Sequence, residues 1–177
     1  MMLDFFKIAA NLKNVSRQGW IDKISVTNPE SVADHSYSMA IMSMVISDLE
    51  NYDSEKILKM TVLHDLAESK TGDITPDQIT GEKKKALENK AFSEIMEHLP
   101  EEIKFQYLEI WNEYQENISP ESKIVHQIDK LEMVLQARLY QKEGCPEEKL
   151  HQFFESARKD IVHPKLKELF TQLINDK

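Results

Sequence analysis

A chain of 177 residues with 41% hydrophobic and 30% charged side chains is long enough to bury a proper core, and it reads as a single domain over residues 1–177. Its formal net charge of −9 argues against a general nucleic-acid binder, since phosphate backbones are held by surplus Lys and Arg; no apolar run approaches the roughly 20 residues that span a bilayer. Cys145 is the only cysteine, which excludes an internal disulfide and a thiolate zinc cluster, and with no basic leader at the amino end a cytoplasmic protein without membrane partners is expected.

Four glycines and six prolines punctuate the chain, and apolar residues recur at helical spacing almost throughout, so an all-α helical bundle is expected. Leu3, Phe6, Ile8, Ala9, Leu12 and Val15 form the stripe of a first helix, which ends before a turn over residues 16–20. Residues 21–28, β-branched and polar, read as an extended linker. A second helix is predicted over about residues 32–49, with Met39, Ala40, Met44 and Val45 among its apolar positions and His35 in its first turn. Asp53 and Ser54 can cap a third helix that runs through Leu66. The run Lys83-Lys84-Lys85 reads as a solvated face. Further helices are predicted over about 82–98 and 101–116, then over about 120–141 behind the Ser119 cap and Pro120, and finally over about 146–158 and 164–174.

The stretch TVLHDLAESKTGDITP, residues 61–76, sets ionisable groups at the end of an apolar helix, where cores normally exclude them. His64 and Asp65 are adjacent, Glu68 lies one turn on over both, and Asp73 follows a glycine past the helix end. A His-Asp pair alone fits a helix end with solvated acids. Two other apolar helices, however, bring His35 and Asp129 to the edge of the core. Together His35, His64, Asp65 and Asp129 make a set of two imidazoles and two carboxylates that suits a borderline or hard divalent cation, whose charge would offset their burial. Asp129 taken singly would pair with Lys130 or Arg138 at a helix surface. His126 could share the Asp129 face, so a second metal is conceivable.

The order His, His-Asp, Asp resembles the signature of the HD-domain metal-dependent phosphohydrolases. The segments PESVADHSYSMA, LHDLAESKTGDI, WNEYQE and VHQIDKLEMVLQA are similar to the 5′-deoxynucleotidase-like branch of that family, over roughly residues 15–164. The resemblance implies a helical bundle of the HD-domain type, a homodimer, and hydrolysis of deoxyribonucleoside 5′-monophosphates to deoxynucleoside and phosphate. It also implies one divalent metal ion (manganese, cobalt, iron, nickel or zinc) on His35, His64, Asp65 and Asp129. Glu68 matches an acidic residue that the family places beside the metal for proton transfer or water positioning, and Asp73 a second acid near substrate. Arg17 matches the family's phosphate contact. Bacterial members place a tryptophan directly after that arginine; here Gln18 and Gly19 intervene before Trp20.

The chemistry of the residues fits these roles. A guanidinium can clamp a phosphate through two parallel hydrogen bonds, which a lysine cannot copy. Glu68 could hold a water or hand a proton to the leaving 5′ oxygen. The Trp20 ring could stack on the base or wall off the sugar. Two alternatives use the same residues: hydrolysis of another phosphate ester such as a cyclic or signalling nucleotide, and a metal-binding, nucleotide-sensing helical module without turnover.

Overall fold

Ser31 shows how the sequence starts its helices. Its hydroxyl accepts from the Asp34 N–H while the Asp34 carboxylate accepts from the Ser31 N–H, a reciprocal cap that opens α3 (Val32–Glu50). The computed structural model describes residues 2–176. Before α3 come α1 (Met2–Ala10), a 3-10 turn (Asn11–Asn14) and α2 (Gln18–Ile24). After it come α4 (Ser54–Leu63), the single turn α5 (Glu68–Thr71), α6 (Gly81–Met96), α7 (Glu101–Glu116), α8 (Pro120–Lys142), α9 (Glu147–Asp160) and α10 (Pro164–Asn175). The described residues contain no β-strand; Ser16 and Ser31 form one isolated antiparallel bridge. The all-α fold expected from the spacing is therefore the observed one.

The Asp53 carboxylate caps α4 by accepting from the Lys56 N–H, and the Ser119 hydroxyl caps α8 by accepting from the Ser122 N–H, with Pro120 inside the first turn. Helices α3, α4 and α8 pack on one another, and α8 also carries α9 and α10. Their shared core includes Met39, Ile57, Met60, Phe92, Ile124, Ile128 and Leu131, all buried. No described helix is long and apolar enough to cross a membrane.

Three local expectations are corrected. Part of the expected linker over residues 21–28 is helix α2, because Trp20 and Ile24, one turn apart, are buried in the core and that burial outweighs the weak helix preference of β-branched neighbours. The third helix stops at Leu63 rather than running through Leu66. There the His64 ring takes the Thr61 carbonyl at 2.6 Å, and the backbone tightens to i→i−3 bonds such as Leu66 N–H to Leu63 O at 3.1 Å. Met44 and Val45, expected in the core, lie outside it: with Tyr37, Ile41 and Leu49 they make an outer stripe on α3, 41% to 70% exposed.

Candidate active site

The site is assembled where α3, α4 and α8 meet two loops. His35 is buried in the first turn of α3, His64 closes α4, Asp65 follows it, and Asp129 projects from the middle of α8. Arg17 is brought alongside by the short pairing of residues 15–17 with 30–32: Arg17 N–H donates to Glu30 O at 3.0 Å and Val32 N–H to Val15 O at 2.8 Å. Gly72 takes φ 75°, a left-handed conformation that lets the chain leave α5 and deliver Asp73. The Asp73 carboxylate then accepts from the Gln18 N–H, the first of α2, at 2.7 Å.

The two imidazoles face each other with ring centroids 5.5 Å apart. His35, His64 and Asp129 each place one ligand atom within 4.8 Å of the others. Asp65 Oδ2 lies 3.1 Å from His64 Nε2 and 3.9 Å from His35 Nε2, and Asp129 Oδ1 lies 3.3 Å from His35 Nε2. The far nitrogens are committed: His64 Nδ1–H donates to the Thr61 carbonyl and His35 Nδ1–H to the Glu132 carboxylate, both at 2.6 Å. That leaves both buried Nε2 atoms without a hydrogen-bond partner among the described residues. Two orphaned imidazole nitrogens pointed at two carboxylates form an arrangement that a divalent cation fits, and its charge would offset the desolvation of all four groups.

The electrostatics state the same demand for positive charge. Burial and Arg17 work against protonation of His35, yet Asp129 and Glu132 outweigh both and push it up to about 9. Burial opposes charge on Asp65, but His64, Arg17 and His35 hold its carboxyl well below the usual range; Asp129 is likewise held down against burial by His35 and Lys130. Arg17 Nη1 lies 3.3 Å from Asp65 Oδ2 and Nη2 3.9 Å from Asp129 Oδ1, and those charges with Asp73 keep the buried guanidinium protonated. Glu68 behaves oppositely. Burial first, then the charges of Asp65 and Asp73, drive its carboxyl well above the ordinary value against the pull of Lys84 and Arg17, which favours its acid form.

These groups border one cavity of about 610 Å³, lined by Arg17, Asp65, Glu68, Asp73 and Asp129 among others. Trp20 also lines it, but at 2% exposed its ring is wedged between Tyr140 and Phe153, 5.2 and 4.4 Å away, with Nε1–H donating to Glu30 Oε1 at 2.9 Å. A ring so enclosed offers a wall and no open face for a base to stack on. His126 is stacked on Tyr114 at 4.1 Å and its Nε2 bonds the Tyr114 carbonyl at 3.0 Å, so that nitrogen is engaged.

Sequence reasoning missed two neighbours. Glu132, one turn after Asp129 on the same face of α8, grips His35; its i+3 spacing was a usable signal. Lys84, expected to be solvated with its two lysine neighbours, lines the cavity instead, 3.6 Å from Glu68 Oε1 and 3.4 Å from Glu88 Oε1.

The fold and this constellation define a class, and comparison with known proteins gives the same one: the HD domain family model matches residues 9–169, and the chain belongs to that family. Within it, the chain is 41% identical to the 5′-deoxynucleotidase HDDC2 of Dictyostelium discoideum, over 99% of this chain and 97% of that protein. Identity to the human 5′-deoxynucleotidase HDDC2 is 37%, over 97% of this chain and 84% of the relative. The crystal structure of the PH0347 protein from Pyrococcus horikoshii OT3 superposes with a TM-score of 0.82 at 32% identity, covering 97% of this chain and 98% of that one.

Proposed function

We propose that this chain is a metal-dependent 5′-deoxynucleotidase, hydrolysing deoxyribonucleoside 5′-monophosphates to deoxynucleoside and phosphate. The observation that carries the reading is the pair of buried, unpartnered imidazole nitrogens facing Asp65 and Asp129 beside a fixed arginine. The 37–41% identity to 5′-deoxynucleotidases over nearly the whole chain supports the substrate class.

His35, His64, Asp65 and Asp129 hold one divalent ion, with manganese, cobalt, iron, nickel and zinc all compatible with two nitrogens and two oxygens. Such an ion lowers the pKa of bound water toward neutrality and screens the phosphoryl oxygens. The remaining steps belong to the chain. Arg17 takes the phosphate in its two-pronged guanidinium, and Asp73 steadies that arginine by holding the first N–H of α2. As the oxygen of a water that has released one proton to solvent bonds to phosphorus and the bond to the 5′ oxygen breaks, Glu68 delivers its proton from the unpartnered Oε2 to the leaving oxygen and is reprotonated from solvent for the next turnover. Trp20 walls the cavity where a sugar would lie.

The protein acts in the cytoplasm, a setting consistent with its lone, unbonded cysteine, and as a homodimer. The outer stripe of α3 supports the dimer: Tyr37, Ile41, Met44, Val45 and Leu49 lie on one face over about three turns, with no Asp, Glu, Lys or Arg between Asp34 and Asp48. A nucleic-acid partner is absent from this reading because of the net charge of −9. The test is phosphate release from deoxyribo- and ribonucleoside 5′-monophosphates by chelated protein with added divalent metals. Metal-dependent release confined to the deoxy substrates is expected. Equal release from ribonucleotides would remove the sugar selectivity, and no release with any metal while nucleotide still binds would leave a sensing module.

A further inference from the structure

The two imidazoles of the site are held from behind in different ways. His64 Nδ1–H rests on a neutral peptide carbonyl, Thr61 O, while His35 Nδ1–H rests on the carboxylate of Glu132, each at 2.6 Å. Glu132 is 1% exposed and His35 fully buried. Burying a carboxylate is costly unless a cation meets it, and among the described residues the only ion-pair partner of Glu132 is the His35 ring itself, at 2.6 Å, with no Lys or Arg beside it. A second acid deepens the cost: Glu30 comes within 4.8 Å of the His35 and Glu132 ligand atoms, and burial followed by the Glu132 charge pushes Glu30 up to about 7. Packing gives no reason for this placement. A core would be served better by an apolar side chain at 132, as at its buried neighbours Leu131 and Val134.

We infer that Glu132 is the positioning residue of the metal centre: by accepting the Nδ1–H of His35 it fixes that ring's tautomer and direction, aims Nε2 between Asp65 and Asp129, and makes His35 the more strongly donating of the two imidazole ligands. Such a role requires the imidazole to lie between the carboxylate and the ion, so that each charge faces the ring from opposite sides. The geometry has that form, with Nδ1 on Glu132 and Nε2 toward the Asp129 and Asp65 oxygens at 3.3 and 3.9 Å. His64 needs no such side chain, because the carbonyl that orients it is fixed by α4 itself. The site thus has one ligand anchored by backbone and one anchored by a removable carboxylate. Resting on the reading of His35 as a ligand, this predicts that metal affinity is set from behind the site, by a residue that never touches metal or substrate.

The test uses the full chain, stripped of metal and titrated with cobalt(II), whose visible absorption reports both occupancy and ligand geometry. Glu132→Gln keeps the shape and can still accept the Nδ1–H, but loses the charge. It should weaken cobalt binding about 10- to 100-fold and alter the cobalt spectrum, while the metal-free protein melts as the parent does. Glu132→Asp, with the charge kept and the reach shortened, should recover part of the affinity. Glu30→Gln removes a half-buried acid that does not bond the ring and should leave cobalt affinity near the parent value. His35→Ala should lose at least as much as Glu132→Gln. Parent-like binding by Glu132→Gln together with loss in His35→Ala would overturn the role of Glu132 and leave the ligand set standing. Parent-like binding by His35→Ala would remove the ligand reading itself. A Glu132→Gln chain that fails to fold with or without cobalt makes the residue structural and refutes the inference, as would two cobalt equivalents with one lost in Glu30→Gln, which assigns both acids to a second ion.

Discussion

The two walls of the cavity are built differently. One holds His35 and Asp129 on the long helices α3 and α8 and His64 and Asp65 at the tightened end of α4, with each imidazole pinned through Nδ1. The other carries Arg17, Glu68 and Asp73 on residues 17–20, the single turn α5 and the 72–76 loop, with Lys84 reaching in from the first turn of α6. The first wall is suited to a fixed ion, which needs its ligands placed to a fraction of an ångström. The second is suited to a substrate that arrives and leaves, since loops and single turns open more easily than packed helices.

The contrast breaks most visibly if the first wall is damaged. Asp65→Ala should remove both metal binding and activity, a loss of several kcal/mol of transition-state stabilisation or about a thousandfold in rate. Metal analysis beside a phosphate-release assay would check it, and retained metal with lost activity would place Asp65 on the substrate side instead. On the second wall the two properties should separate. Glu68→Gln should keep its metal yet lose roughly 10²- to 10⁴-fold in kcat. Because burial and the nearby acids raise the Glu68 pKa, its acid form persists above the ordinary carboxylate range and parent activity falls as pH rises through that value. The Gln variant should lack that alkaline fall.

How much of each wall could be read from the sequence follows from the same contrast. The helices with the proposed ligands announce themselves, because His35, His64 and Asp129 interrupt apolar stripes of the correct period, where an acid or imidazole is seldom placed for packing alone. The substrate wall is harder. Arg17 and Trp20 sit in a segment whose helix exists only through the burial of Trp20 and Ile24, so its local sequence reads as turn and linker. Lys84 is one of three consecutive lysines, and nothing in the run says that its register alone faces Glu68, with Glu88 one turn behind. Glu132 was legible in principle at i+3 from Asp129, but an acid on a long helix is ordinarily solvated, and only the fold shows it under His35.

A smaller effect sharpens the picture of the second wall. Arg17→Lys keeps the charge but loses the fork, which makes two contacts with a phosphate where an ammonium makes one. The expected loss is about 1.5–3 kcal/mol, roughly 10- to 100-fold in kcat/KM, with metal affinity unchanged. Lys84→Met should cost less, under about tenfold, because Lys84 meets solvent on one side and surface charges are screened. Steady-state kinetics on one deoxynucleotide would rank the two, and a Lys84 effect exceeding that of Arg17 would reverse their assignments.

The smallest effect on chemistry, and the largest on assembly, is expected on the outer face of α3, behind the first wall. His35 and Met39 occupy its inner face and Ile41 and Val45 its outer one, so a charge on the outer stripe lies across the helix from the site. A two-fold partner would bring two such stripes together, and the self-complementarity of an uncharged, apolar helix face is what an isologous contact requires. If the proposed dimer forms through this stripe, Val45→Glu should give a monomer by light scattering while metal binding stays at the parent level, because nothing on the outer stripe reaches the proposed ligands. If the monomer also loses metal, the first wall depends on a neighbour for its rigidity, and the division between a self-sufficient ligand wall and a substrate wall on shorter elements no longer holds.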